Sequence, residues 1–212
     1  MPRGDVIVIS APSGSGKTTI CRALLARVER LVLSVSYTTR ERRKGESGGK
    51  DYFYVSEQEF DKMVDCKEFL EHARVYGYRY GTSFAAVDAI VSGGDDAVLE
   101  IDVQGGRSVK ASIPEAVLIG ILPPDCGTLR DRLERRARDS REDMERRYEA
   151  ARQEISELKS YDYLVVNKDL ETAVRQVECI VRARRLRRER MADVVDGILR
   201  EKGEGRDGSS NG

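Results

Sequence analysis

Val6-Ile7-Val8-Ile9-Ser10-Ala11-Pro12-Ser13-Gly14-Ser15-Gly16-Lys17-Thr18 is the stretch that decides the fold. Its first four residues are apolar and β-branched, the pattern of a strand buried on both faces of a parallel sheet. Residues 19–27 follow with Ile20, Leu24 and Leu25 at helical spacing. Between strand and helix lies a glycine-rich turn. Such a turn lets successive backbone N–H groups point inward as an anion nest. The helix start adds its partial positive charge. Lys17 is then placed to reach the terminal phosphates of a nucleotide, and the Thr18 hydroxyl to ligate Mg²⁺. The pattern G-x-x-x-x-G-K-[ST] is complete except at its first position, which is Ala11.

Outward from this loop, strands and helices alternate. Residues 31–37 predict a second strand. Residues 40–50 are charged, glycine-rich and without periodicity, which predicts a loop. Residues 51–55 are β-prone. Ser56 with Glu59 forms a capping box that opens a short helix carrying Phe60, Met63 and Val64. Residues 69–75 predict a strand, residues 76–81 a turn crowded with aromatic rings, and Ser83 the cap of a helix ended by Gly93-Gly94. A strand over 97–101 runs into Asp102, a glycine turn at 104–106, and a short helix. Residues 116–122 predict another core strand, 128–158 highly charged helix, 163–166 a short strand, and 171–199 one long helix. The polar, glycine-rich stretch 201–212 predicts a disordered tail.

This order predicts an α/β fold, a three-layer parallel-sheet core with helices on both faces. Residues 1–36, 87–125 and 159–200 make the core. Two stretches break the alternation and read as inserted lobes: 37–86, mixed α+β, and 126–158, helical. Ligands in such sheets bind at the carboxyl ends of the strands, the edge that carries the loop, Ser36, Glu100, Asp102 and Asn167.

The chain has 212 residues, with 37 basic and 37 acidic side chains, so net charge offers no argument for a nucleic-acid or membrane partner, and neither is expected. Four dispersed cysteines and one histidine argue against a zinc site, and suit a reducing cytoplasm. The start of the chain has no signal-peptide pattern. The sequence leaves open whether the chain acts as monomer or homo-oligomer.

Ser36, Arg40, Arg43 and Tyr52 fall in one strand-and-loop segment, where arginine forks and a tyrosine hydroxyl suit a second phosphate. Glu71 interrupts an apolar run. The commoner reading of such a charge is an outward-facing strand residue; the other is a carboxylate placed to accept both N1–H and the 2-amino group of guanine, a pair that adenine lacks. Ser36 and Thr82 supply hydroxyls for guanine O6.

The segments Ser36-x-Thr38-Thr39-Arg40-x-x-Arg43, Gly49-Lys50-Asp51-Tyr52, Phe69-Leu70-Glu71, Tyr80-Gly81-Thr82 and Ile101-Asp102-x-Gln104-Gly105 follow the loop in order. Over about residues 5–190 the chain resembles guanylate kinases of the bacterial soluble type, P-loop nucleoside monophosphate kinases, in which Ala at position 11 also occurs. The resemblance implies a phosphotransferase that moves the γ-phosphoryl group of MgATP to GMP in purine nucleotide metabolism. It implies ATP binding by Ala11, Pro12, Ser13, Gly14, Ser15, Gly16, Lys17, Thr18, Thr19, Arg132, Arg136 and Asn167. It implies that lobe 37–86 binds GMP: guanine on Ser36, Glu71 and Thr82, the phosphate on Arg40, Arg43, Tyr52 and Tyr80, with Glu100 and Asp102 at the cleft base. Catalysis would rest on Lys17, Arg40, Arg136 and Arg147, and Mg²⁺ on Thr18, with Asp102 reaching it through water.

Nine arginines lie between Arg130 and Arg152. Most are expected in ion pairs along helix faces. The resemblance singles out Arg132, Arg136 and Arg147 as lid arginines, near Arg136-Ala137-Arg138-Asp139-Ser140, where Ala137 replaces a family glycine. The basic run 182–190 is expected to pack on the core rather than bind RNA. Two other readings stay open: a related sugar-phosphate kinase, opposed by Ser36, Glu71 and Thr82, and a non-catalytic interaction module, opposed by the intact loop.

Overall fold

A computed structural model describes residues 3–75, 77–136 and 141–201, with the side chains of residues 135, 136, 141, 143 and 201 excepted. The Ala137–Ser140 motif and the 202–212 part of the expected tail lie outside the described residues. The strands are β1 (Val6–Ser10), β2 (Leu31–Leu33), β3 (Tyr37–Thr38), β4 (Phe53–Tyr54), β5 (Phe69–Val75), β6 (Tyr78–Ser83), β7 (Asp96–Glu100), β8 (Val117–Leu122) and β9 (Tyr163–Val166). The helices are α1 (Lys17–Leu25), α2 (Glu57–Asp65), α3 (Phe84–Ser92), α4 (Val103–Ser112), α5 (Cys126–Arg136), α6 (Arg141–Glu157), α7 (Leu170–Arg185) and α8 (Arg188–Glu201).

Five strands form a parallel sheet in the order β2-β7-β1-β8-β9, so the glycine-rich loop leaves the central strand. Every residue of β1 is buried. Alternate side chains serve opposite faces. Ile7 and Ile9 pack with Ile20 and Leu24 of α1 and Val174 and Val177 of α7. Val6 and Val8 pack with Val87 of α3, Leu99, and Val109 of α4. A second, mixed sheet of order β4-β3-β6-β5 is built from residues 37–83 and carries α2, whose Ser56–Glu59 capping box is present as expected. Helices α5 and α6 share a small core of Leu129, Leu133 and Ala151.

Several elements differ from the sequence expectation. The apolar run 31–37 is not one strand. It ends at Leu33, crosses at residues 34–36, and resumes as β3 in the other sheet. The aromatic stretch 78–81 is strand, paired antiparallel with β5, and only the tip at Gly77 turns. Gln104, Gly105 and Gly106 lie inside α4, whose N-cap is Asp102; its carboxylate accepts the Gly105 N–H at 2.8 Å. The charged segment 126–158 is two helices and a short 3-10 turn, and the long C-terminal helix is two, parted at Leu186 and Arg187. Three arginines of the basic run turn inward: Arg184 pairs with Asp5 at 3.3 Å, and Arg185 and Arg190 pair with Asp96 at 2.7 and 2.9 Å. Among the described residues no helix is long and apolar enough to cross a membrane.

Candidate active site

The loop after β1 closes around two left-handed glycines, Gly14 at φ +89° and Gly16 at φ +90°. Gly16 is the N-cap of α1, so the loop amides and the helix start face the same hollow. A Cβ on Gly16 would lie 2.5 Å from the Asn167 amide nitrogen as well as straining the backbone. Asn167 follows β9 and donates from Nδ2 to the Ser15 carbonyl at 2.7 Å. Its own carbonyl accepts from Arg132 at 3.4 Å. The family position expected near adenine thus has its amide committed to the loop, and Arg132 lies beside it in a shallow cavity with Gly14, Gly16 and Thr19.

Lys17 and Thr18 both point to the carboxyl end of the neighbouring strand β7. Lys17 Nζ donates to the Ile101 carbonyl at 2.8 Å. The Thr18 hydroxyl donates to the Glu100 carboxylate. Behind them Tyr161 donates to Ser10 Oγ at 2.8 Å, and Ser10 donates to the Asp102 carbonyl at 3.0 Å. Glu154 of α6 shares a hollow of about 210 Å³ with residues 11–14 and 16–19 and Asp102. Burial pushes its carboxyl up, and Asp102 adds to this, while Lys17 and the Ser13 N–H oppose it.

A second cavity, of about 200 Å³, is lined by Lys17, Ser36, Tyr52, Glu71, Tyr80, Glu100 and Asp102. Glu71 faces it because β5 carries a β-bulge between Phe69 and Glu71. In a regular strand Leu70 and Glu71 would point to opposite faces. Here Leu70 packs into the core with Val103 and Val109 of α4, and the Glu71 carboxylate lies against Gly105 of that same helix. Glu71 Oε1 accepts from Thr82 Oγ1 at 2.6 Å, and Ser36 Oγ stands 3.4 Å from the same hydroxyl. Thr82 therefore spends its proton on Glu71, and Ser36 donates across the long contact to Thr82, a bond it can give up to a ligand. Burial pushes the Glu71 carboxyl up to about 7, against the Thr82 hydrogen bond.

Arg40, Arg43, Tyr52 and Tyr80 line one wider cavity between α1 and the second sheet. Arg40 is buried, with its guanidinium 5.4 Å from the centre of the Tyr52 ring. Tyr52 and Tyr80 meet edge to face at 5.7 Å. Burial holds the Tyr52 phenol up at about 12, with Glu100 adding to it, so it stays protonated and able to donate.

The expected residues therefore gather at the strand ends in three adjoining groups. Arg147 stands half-buried on α6. Arg136 closes α5, and its side chain lies outside the described residues. Sequence reasoning missed Glu46, Glu154, Asn167 as a loop latch, and Tyr161. The Gly105 and Gly106 pair was a signal that something packs tightly there: a Cβ on Gly105 would sit 2.6 Å from Glu71 Oε2, and one on Gly106 2.0 Å from the Tyr161 hydroxyl.

The guanylate kinase family model matches residues 3–184. The guanylate kinase of Neisseria gonorrhoeae is 46% identical over 197 residues, covering 93% of this chain and 96% of that protein. That of Caldanaerobacter subterraneus is 44% identical over 199 residues, covering 94% and 97%. The crystal structure of guanylate kinase from Anaplasma phagocytophilum superposes with a TM-score of 0.75 at 34% identity, covering 90% of each chain. With a glycine-rich loop on the central strand, a buried carboxylate beside it and these matches, the chain belongs to the guanylate kinase family, ATP:GMP phosphotransferases.

Proposed function

We propose that the three groups are the two substrate sites of the reaction ATP + GMP → ADP + GDP. The Glu71–Thr82–Ser36 set carries this reading. A carboxylate, buried at the floor of a cavity and aimed by a bulge, has no reason to be kept apolar-side unless a ligand with paired donors meets it. Guanine presents that pair, and Ser36 donates to O6. Rejection of adenine follows, because Glu71 would be left unpaired. The GMP phosphate then extends toward Arg40, Arg43, Tyr52 and Tyr80, and Glu100 and Asp102 lie between the two sites.

ATP places its phosphates on residues 11–19, with Lys17 on the terminal oxygens and Arg132 and Asn167 at the nucleoside end. Thr18 bonds the Glu100 carboxylate and lines one hollow with Asp102, hard oxygen donors that fit Mg²⁺: that ion takes one or two carboxylates and otherwise waters and phosphates. Among the described residues there is no cluster of three or more His, Cys, Asp or Glu arranged for a metal, and Mg²⁺ bound with a nucleotide does not require one. Bound there, it would neutralise charge on the β- and γ-phosphate oxygens. Thr18 would hold it directly and Asp102 through water.

A GMP phosphate oxygen attacks the γ-phosphorus in line, and the bond to the ADP oxygen breaks. The protein's part is alignment and charge. Lys17, Arg40 and the lid arginines Arg132, Arg136 and Arg147 offset the repulsion between two anionic nucleotides. In this reading 1–36, 87–125 and 159–200 are the fixed core, 37–86 the GMP lobe and 126–158 the lid, whose closure excludes water. Four free cysteines support a cytoplasmic setting.

The test is ADP production from MgATP with GMP, dGMP, AMP, CMP and UMP in parallel, with Glu71→Ala alongside. Turnover is expected only with guanine nucleotides, and Glu71→Ala is expected to erode GMP over AMP. Unchanged discrimination in the variant would move base recognition away from Glu71.

A further inference from the structure

Glu46 lies in the charged loop 40–50, which composition alone presents as solvated. Its carboxylate is fully engaged. Oε1 accepts from Arg40 Nη2 at 2.8 Å. Oε2 accepts from the Arg43 N–H and the Tyr54 hydroxyl, each at 2.8 Å. The Glu46 N–H returns to the Arg43 carbonyl at 3.1 Å, closing the turn Arg43-Lys44-Gly45-Glu46 from both sides. Gly45 sits third in that turn at φ +93°, where a type II turn wants glycine. The Arg40 side chain is 6% exposed, and its other terminal nitrogen donates to the Glu41 carbonyl at 2.8 Å. One carboxylate thus fixes both arginines of the cavity wall: Arg40 by its side chain, Arg43 by its backbone.

We propose that Glu46 is a positioning residue for the monophosphate site, holding Arg40 and the Arg43 turn in the geometry that receives the phosphate of GMP without touching the nucleotide. The inference rests on the reading of Arg40 and Arg43 as the phosphate end. It competes with a simpler role. A carboxylate beside an arginine also cancels charge, and as a plain counter-charge Glu46 would compete with the incoming phosphate. The two roles give opposite signs. Removing a counter-charge strengthens phosphate binding. Removing a positioning group frees Arg40 to seek water and lets the turn open, and binding weakens. The geometry favours the second: three donors from three residues converge on one carboxylate, and Arg40 keeps unused N–H groups for a ligand.

The experiment is calorimetric titration of wild type, Glu46→Gln, Glu46→Asp and Tyr54→Phe with GMP and with guanosine, plus KM for each substrate. Glu46→Gln should weaken GMP binding by about tenfold or more and raise the GMP KM in step. Guanosine affinity and the ATP KM should hold within about twofold, which a general loss of structure would not allow. Glu46→Asp keeps the charge but cannot reach all three donors; it should fall between Glu46→Gln and wild type, and it carries the test if Glu46→Gln folds poorly. Tyr54→Phe, which removes one donor from Oε2, should change GMP binding less than Glu46→Gln. GMP binding equal to or tighter than wild type in Glu46→Gln would overturn the proposal in favour of the counter-charge. Equal losses of GMP and guanosine would reduce Glu46 to scaffold. Wild type that binds guanosine as well as GMP would instead remove the phosphate from Arg40, and the inference with it.

Discussion

Lowering the pH from 8 to 6 is expected to strip the protein of its grip on guanine, and the cause is one group. Burial has raised the Glu71 carboxyl to about 7, against the Thr82 hydrogen bond, which favours the ionised form. The ionised form is the one that accepts N1–H and the 2-amino group. About nine-tenths of Glu71 is carboxylate at pH 8 and about one-tenth at pH 6, so affinity should fall about tenfold across that window. Because guanine donors favour the carboxylate, binding lowers its pKa and releases a proton: about half a proton per ligand at pH 7. The same logic fixes the stability of the empty protein. A carboxyl raised in the folded state from the ordinary 4.5 to about 7 favours folding fully only below pH 4.5, and that advantage is lost as the pH climbs to 7. The loss at pH 8 is on the order of 3 kcal/mol.

The assay is titration calorimetry with guanosine at pH 6, 7 and 8 in buffers of different ionisation enthalpy. Guanosine is the right probe because the second pKa of a phosphate ester, near 6 for about the same window, would confound GMP. Glu71→Gln is the control: its guanosine affinity should not change with pH in this range, and its denaturation midpoint at pH 8 should rise. A guanosine affinity flat from pH 6 to 8 in wild type, with no proton released, would refute both the elevated pKa and the place of Glu71 under the base.

Two substitutions test the remaining geometry. Lys17→Met removes the cation at the turn of the phosphate loop; kcat should drop by at least about a hundredfold while GMP binding by calorimetry stays near wild type, and normal turnover would take Lys17 out of the mechanism. Gly105→Ala places a Cβ 2.6 Å from Glu71 Oε2. The carboxylate must shift, so the GMP KM should rise about tenfold, equivalent to about 1.4 kcal/mol, with the ATP KM unchanged; a normal GMP KM would show that Glu71 recognises the base from another position.

What the sequence made legible was whatever is local. Strand, glycine turn and helix are adjacent in residues 6–25, and the pattern needs no knowledge of tertiary structure. The Ser56–Glu59 box is read the same way. What stayed hidden depends on partners far along the chain. Residues 31–37 read as one strand because apolar alternation cannot reveal that Leu33 and Tyr37 belong to different sheets, and no glycine or proline marks the crossing. Gly105 and Gly106 read as a turn because two helical glycines are costly. They are tolerated where Glu71, more than thirty positions earlier, and Tyr161, more than fifty later, take up the space of their side chains. The bulge at Leu70 is invisible for a related reason: a strand's register is set by its partner. Glu46 was hidden by its surroundings, since an acid among arginines and glycines looks like solvated loop until three donors converge on it.

These hidden contacts share one logic. Several groups proposed to grip a phosphate have an acceptor of the protein's own. Lys17 is on the Ile101 carbonyl, the Thr18 hydroxyl is on Glu100, and the Ser13 N–H faces Glu154. Without such partners a cleft of buried cations and inward N–H groups would carry a large desolvation cost. With them, nucleotide binding becomes an exchange of acceptors rather than the filling of a vacant field. Exchange yields less net affinity than the formal charges suggest, because at these groups a phosphate contact displaces an existing one. For an enzyme that must release two charged products every cycle this is an advantage: the charge needed to bring two anions into line is present, but the ground state does not hold them too tightly. Glu71 obeys the same rule with its sign reversed. Its carboxyl is pushed up by burial and hydrogen-bonded to Thr82, and the charge that reads guanine is completed by guanine's own donors.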